Sequence, residues 1–162
     1  MKLIIKILIA IYIGLAIFKL TDPSLHWVKP APTVIPSVAH APTEIKIPKI
    51  SLDIAISPSV LKGNDWQVYD DRVAWLSTSS LLGQGNTILY AHERPGLFLD
   101  LYKLKTGDEV DIFDGKWHIY QVKESHIVNP GDINAVFSDK NHITMYTCQG
   151  SFDQKRLVVY AE

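Results

Sequence analysis

Apolar and polar positions fall into three successive patterns along the chain. Leu3 to Leu20 is almost wholly apolar, interrupted by Lys6 and Lys19. Between Asp22 and Pro42 the pattern gives way to five prolines set among Ala, Val, Ser and Thr. After Thr43 short alternating runs take over. A strand turns successive side chains to opposite faces, so alternation of this kind predicts β-structure. Strands are expected over Glu44–Ile47, Asp53–Ile56, Val73–Leu76, Thr87–Tyr90, Glu109–Phe113, Trp117–Val128, His142–Thr147 and Arg156–Ala161. Asp114-Gly115 marks a hairpin between the fifth and sixth of these. Pro48 interrupts after the first strand. Gly83-Gln84-Gly85-Asn86 and Asn129-Pro130-Gly131-Asp132 read as turns or loops. Leu97–Leu104 predicts a short helix, and Ile133–Phe137 one helical turn. About eight short strands with few helices predict a mainly β fold, a closed or nearly closed barrel.

The first two patterns set the domain organisation. As a helix, the 18 residues from Leu3 to Leu20 span roughly 27 Å, close to the ~30 Å of a bilayer's hydrocarbon core. Residues 1–21 are therefore expected to be an N-terminal transmembrane anchor. Lys2 and Lys6 favour a cytoplasmic N-terminus, which puts the rest of the chain outside the cell. A cleaved signal peptide is the competing reading, but bulky Ile17-Phe18-Lys19-Leu20 offers no small-residue cleavage site. A buried core helix fits poorly because the segment is apolar all round. Residues 22–43 read as a proline-rich tether, since proline removes backbone donors and fixes φ. Extended at ~3.1 Å per residue, it reaches roughly 65 Å. Residues 44–162 form the one folded domain.

Composition narrows the function classes. A net charge of -1, from 16 basic and 17 acidic residues, gives no electrostatic case for nucleic acid. Six histidines from His26 to His142 include no pair at metal-ligand spacing, so no zinc site is expected. Asp108, Glu109, Asp111 and Asp114 match no calcium-loop spacing and read as solvated surface. His118, His126 and His142 likewise read as solvated strand residues. Trp66, Trp75, Trp117 and Tyr120 read as barrel packing, with a minority reading that puts one of them in a substrate groove.

The sole cysteine, Cys148, can form no internal disulfide, so it is either inert core or a nucleophile. It closes the run Thr144-Met145-Tyr146-Thr147-Cys148. Arg156 opens the next apolar run, Leu157-Val158-Val159-Tyr160, and His92 ends Leu89-Tyr90-Ala91-His92. A reactive cysteine needs a histidine or cation beside it, and acyl transfer needs a donor aimed at the developing oxyanion. These three residues end or begin strands that can meet at one rim of a barrel. Arg94 is assigned to the loop before Pro95, and Arg72 to the surface.

These segments resemble the sortases, membrane-anchored cysteine transpeptidases of bacterial surfaces. The family's Thr-Leu-x-Thr-Cys motif matches Thr144-Met145-Tyr146-Thr147-Cys148, with Met in place of Leu. Its following-strand arginine matches Arg156 in Arg156-Leu157-Val158-Val159. Its histidine matches His92, with Ala91 where Gly is usual. Ile45-Lys46-Ile47-Pro48-Lys49-Ile50 resembles the family's first strand, so the likeness spans Glu44 to Glu162. The resemblance implies a sortase-like eight-stranded β-barrel with catalytic residues His92, Cys148 and Arg156. Cys148 would form a thioacyl-enzyme with a sorting-signal peptide, and His92 would shuttle the proton. Arg156 would hold the oxyanion, with Thr147 as an added substrate contact. An amine on the cell envelope or on another protein would accept the acyl group. No cofactor or metal is implied, and the catalytic domain would face the outside of a single-pass membrane protein. The short stretch between Val128 and His142 resembles sortases without a long inserted helix. The lack of an Asp-Pro-aromatic lid and of a C-terminal anchor weighs against a pilus-polymerising type.

Two rivals stay in play: a cysteine endopeptidase using water as acceptor, and a tethered non-catalytic β-barrel binding module with an inert cysteine. A cell-wall L,D-transpeptidase is disfavoured. That family places Gly before its cysteine, where Thr147 stands here.

Overall fold

The computed structural model describes residues 40–63, 65–150 and 154–162. The anchor expected over 1–21 lies outside them, as does all but the end of the 22–43 tether. Among the described residues no helix is long and apolar enough to cross a membrane.

Ten strands form among the described residues: β1 (Glu44–Ile47), β2 (Leu52–Ser59), β3 (Leu61–Lys62), β4 (Asp65–Trp66), β5 (Val73–Leu76), β6 (Thr87–Tyr90), β7 (Glu109–Phe113), β8 (Trp117–Val128), β9 (Ile143–Gln149) and β10 (Lys155–Ala161). Eight of them close a barrel in the order β1-β2-β5-β6-β9-β10-β8-β7, while β3 and β4 make a separate two-stranded ribbon. Closure pairs β7 back to β1, with Ile45 opposite Ile112. Two of the pairings are parallel, β2 with β5 and β6 with β9. The expected helices are 3-10 turns, Phe98–Lys103 and Ile133–Ala135.

Alternation selects the barrel's interior. Ile45 and Ile47 of β1, Val110 and Ile112 of β7, and Met145 and Val159 of β9 and β10 are fully buried in one cluster. Phe98 and Leu101 of the 3-10 turn belong to the same core. β2 runs through Pro58 to Ser59. Its pairing with β1 stops at Ala55, so beyond that residue β2 pairs with β5 alone and a missing N–H is tolerated. The β7–β8 hairpin turns at Asp114-Gly115-Lys116, with Phe113 opposite Trp117. Gly115 supplies the positive φ, 107°, that the tight turn requires.

β5 and β6 do not alternate, because both faces are covered and all eight residues are buried. Their outward side chains, Ala74, Leu76, Ile88 and Tyr90, form a second cluster with Val136, Trp66, Tyr69 and Tyr146. This apolar pad on the outside of the barrel becomes the floor of the site.

Three residues read as solvated are not. Asp114 is 6% exposed and its Oδ1 lies 2.7 Å from His118 Nε2, so the hairpin tip carries a partly buried pair. His142 is 5% exposed, tilted against the Tyr160 ring and bonded to Thr144 Oγ1 at 3.2 Å. A position at a strand end does not reveal the ring or partner that packs over it, here Tyr160 for His142 and His118 for Asp114. His126, paired with Glu124 at the surface, is exposed as expected.

Burial holds the His142 imidazole below its ordinary pKa; Lys140 adds to this, while Glu162 and Glu124 oppose it. The lowered value favours the neutral ring in the folded barrel. On unfolding the ring protonates more readily, so acid stabilises the unfolded chain. Stability is therefore expected to fall as pH drops below the ordinary histidine value of about 6.5. Urea unfolding at neutral and mildly acidic pH checks this: His142→Gln should lose less stability on acidification than the natural protein.

Candidate active site

β10 returns from β9 in antiparallel register that sets Arg156 directly opposite Cys148. β6 lies on the other side of β9 in parallel, with Tyr90 level with Tyr146. Continuing that register by two residues brings His92 level with Cys148. Three neighbouring strands thus deliver His92, Cys148 and Arg156 to one end of the sheet. Period-two geometry puts His92 on the face of Tyr90, and Cys148 on that of Tyr146. That is the outer face, over the second apolar cluster, rather than the barrel interior.

All three residues line one cleft of about 350 Å³, together with Trp66, Val68, Tyr90, Tyr146 and Pro130. Trp66 stacks on Tyr146 at 5.4 Å and meets Tyr90 edge-on at 4.8 Å. The β3–β4 ribbon is thereby docked as one wall of the cleft. Pro130, from the loop after β8, also borders it. Cys148 is half-buried, and the His92 side chain is 34% exposed. Both are accessible to a ligand without being fully solvated.

Two bonds fix the approach to His92. Ala91 N–H donates to the Tyr146 carbonyl at 3.3 Å, and Thr147 Oγ1 donates to the Ala91 carbonyl at 2.8 Å. The Ala91 methyl is accommodated in the core cluster. The His92 carbonyl then accepts from Arg94 N–H at 3.0 Å and Phe98 N–H at 3.2 Å. Thr147 is 2% exposed, and its hydroxyl is committed to this strand-to-strand tie. Thr147→Val keeps the shape and removes the bond. It is expected to lower stability by about 1 kcal/mol, read as a shift in the urea midpoint.

Electrostatics at the cleft centre on Arg156. Its Nη1 donates to the Lys155 carbonyl at 2.9 Å. Burial pushes the Tyr146 phenol up, while the charge of Arg156 and its hydrogen bond to that phenol pull the other way. The guanidinium thus reaches across the outer face of β9 beside Cys148. On the histidine side, Asp70 Oδ1 lies 3.9 Å from His92 Nε2 and 2.8 Å from Arg94 Nη1. Among the described residues no group of three His, Cys, Asp or Glu side chains gathers as a metal site would.

All four residues named from the sequence border this cleft. Trp66 and Val68 complete it; the minority reading of the sequence put one aromatic ring in a groove, and Trp66 is that ring, while Val68 was not assigned to the site. Gly63-Asn64 between Leu61-Lys62 and Asp65-Trp66 was the available signal for the ribbon. Trp75 is core, at 7% exposed, and Trp117 is an exposed surface ring under Lys46 Nζ at 4.6 Å. The Arg94 side chain pairs with Asp70, and Arg72 pairs with Asp71 at the surface as expected.

A family model described as Sortase domain matches residues 45–162. No curated protein matches the chain. Similar solved structures include sortase C1 of Streptococcus agalactiae, at 27% identity and TM-score 0.63, covering 74% of this chain and 65% of that one. Sortase C of Streptococcus pneumoniae matches at 26% and 0.62, covering 75% and 66%, and its structure is described as informing pilin substrate specificity. Sortase C of Clostridium perfringens SM101 matches at 26% and 0.61, covering 77% and 71%. The chain thus spans just under two thirds of the length of the two streptococcal structures.

Proposed function

The chain belongs to the sortase family, and from that premise we propose that it is a cysteine transpeptidase acting through Cys148, His92 and Arg156. The observation that carries the reading is the register of β6, β9 and β10, which lines up these three residues at one cleft.

The chemistry follows from the residue types. The Cys148 thiolate attacks the carbonyl carbon of a peptide bond in a sorting signal. The carbonyl oxygen becomes an oxyanion facing Arg156, a planar cation with fixed donors. His92 gives its proton to the departing amine, and the C–N bond breaks to leave a thioacyl-enzyme. An incoming amine then loses a proton to His92 and attacks the thioester. The new amide forms and the thiolate is released. Thr147 acts as a positioning residue through the Ala91 carbonyl rather than as a substrate contact.

The substrates are surface proteins carrying a sorting motif. Pilin-like proteins are the first to try, given the sortase C and pilus names of the similar structures. The sequence expectation that weighed against that type, the lack of an Asp-Pro-aromatic lid at Asp22-Pro23-Ser24, falls on residues outside the described ones. Residues 1–21 would anchor the enzyme in the membrane, and 22–43 would hold the barrel on the outer side. The acceptor is an amine of the envelope or of another protein.

Product analysis tests the reading against the endopeptidase alternative. With a Leu-Pro-x-Thr-Gly-like peptide and triglycine, amine-exchanged product is expected to dominate. Hydrolysed peptide as the sole product, unchanged by triglycine, would make water the acceptor.

A further inference from the structure

The outer face of β6 carries a second hollow. Tyr90 and Ile88 stand on that face, one alternation apart, and each opens onto its own depression. Tyr90 lines the cleft that holds Cys148, and Ile88 lines a hollow of about 340 Å³ at the start of the strand. Phe137 stands on the border between them. It lines the hollow, and its ring lies 6.4 Å from that of Trp66 in the cleft wall. The two depressions are successive stretches of one trough along β6. At ~3.3 Å per residue, the step from His92 back to Ile88 covers roughly 13 Å. The walls of the hollow are pinned. Asn86 Nδ2 donates to the Val136 carbonyl at 2.8 Å, and its Oδ1 accepts from Thr144 Oγ1 at 2.7 Å. Ser79 Oγ donates to the Leu76 carbonyl at 2.6 Å and accepts from Ile88 N–H at 3.1 Å. Other polar groups of the lining are uncommitted. Among the described residues no hydrogen bond or ion pair claims the Thr78 and Ser80 hydroxyls or the Asp139 carboxylate. Asp139 is also the one charged side chain among the described residues that line the hollow.

We propose that this hollow is a second substrate subsite, which takes a basic residue lying just upstream of the sorting motif. The proposal rests on the transpeptidase reading and names a further part of the substrate. The acyl portion of the peptide stays on the enzyme through both half-reactions, while the leaving amine departs and the acceptor enters. A trough bordered by Trp66 and Phe137 suits the portion that stays. An extended peptide with its scissile carbonyl at Cys148 brings the residues roughly five to seven places before the cut over Ile88 and beyond. In a Leu-Pro-x-Thr-Gly-like signal those residues precede the leucine. The motif itself covers the aromatic stretch, where Trp66, Tyr90 and Tyr146 offer apolar surface. Beyond Phe137 the lining turns polar. A lysine or arginine there meets the Asp139 carboxylate, and the Thr78 and Ser80 hydroxyls accept from its remaining donors. Ile88 and Phe137 receive the aliphatic stem. An acidic residue in the same place faces Asp139 with no cation in the lining to offset it. Asp139 is exposed, so solvent and salt moderate the preference.

The test measures peptide binding to the full-length chain carrying Cys148→Ala, so that no turnover intervenes. Fluorescence anisotropy follows three labelled Leu-Pro-x-Thr-Gly-like peptides, preceded by two lysines, two alanines or two glutamates. Lysine is expected to bind best and glutamate worst, with about 3–10-fold between them at low salt and less in concentrated salt. Adding Asp139→Asn should bring the three together. Glu109→Gln removes a like charge from β7, four strands away around the barrel, and should leave the order intact. Thr78→Trp fills the hollow from its exposed rim. It should weaken the lysine peptide and leave a peptide that starts at the motif's leucine unchanged. Equal affinities for the three peptides, or an order that survives Asp139→Asn, overturn the proposal. The natural protein's acyl transfer is then followed with the same peptides. The lysine preference in binding, with no transfer, would keep the subsite and discard the transpeptidase reading. Transfer that ignores the upstream residues would discard the subsite alone, and binding of none of the peptides would discard both.

Discussion

Cys148→Ala is expected to abolish acyl transfer, with a loss of about 10⁴-fold or more. The side chain is the chain's one thiol, and neither His92 nor Arg156 can replace it as a nucleophile. The fold should survive the change. Cys148 is half-buried at the end of β9 rather than in the barrel core, so truncation leaves no sealed cavity. The partners across the sheet, Arg156 and the strand carrying His92, are held by backbone register and not by the thiol. Cys148→Ser should fare little better, because a hydroxyl is far harder to ionise than a thiol and lacks its intrinsic nucleophilicity. Peptide–amine exchange, alongside urea unfolding to show an intact barrel, checks both variants. Retention of more than about a hundredth of the natural rate in Cys148→Ala would remove the thioacyl pathway.

Arg156 carries the second large effect. Arg156→Ala is expected to cost about 10²–10³ in kcat, the range found when an oxyanion donor is removed. Arg156→Lys should recover little of it. A guanidinium presents several donors in a fixed plane, so it can hold the Tyr146 phenol and still face the carbonyl oxygen of a substrate. An ammonium on a flexible stem satisfies one partner at a time. The charge is kept in the lysine variant, so a purely electrostatic role would be rescued and an oriented one would not. Because the oxyanion exists in the transition state and not in the bound substrate, the loss should fall on kcat with KM little changed. An unchanged kcat with a raised KM would assign Arg156 to substrate binding alone.

The barrel was legible wherever one face of a strand is buried and the other wet. β1, β7 and the first half of β8 alternate for that reason, and Asp114-Gly115 fixes the register between the last two. β5 and β6 were legible as short apolar runs, but their lack of alternation hid the second cluster that covers them. The Cys148–Arg156 pairing was legible because it is a local antiparallel return. The approach of His92 to Cys148 was not. It depends on a parallel pairing of strands whose tie, Thr147 to Ala91, joins residues 56 positions apart, and periodicity carries no information about which strands neighbour each other. The family motif supplied that juxtaposition in advance; the residue pattern alone did not. Val68 was missed, and Trp66 was placed in a groove by a minority reading alone, for a related reason. Their ribbon and the segment after it matter through docking on β6 and β9, a tertiary contact with no local signature beyond Gly63-Asn64. His142 and Asp114 were misread because packing against the Tyr160 ring and pairing with His118 override a polar residue's preference for solvent.

Intact-mass spectrometry of the full-length chain, mixed with a sorting-motif peptide and no amine acceptor, tests the central claim most directly. The account predicts a mass increase equal to the acyl fragment, absent in Cys148→Ala and discharged when an amine is added. An unshifted mass, together with a Cys148 thiol that iodoacetamide fails to label in the folded protein, would contradict it and leave a tethered binding module with an inert cysteine.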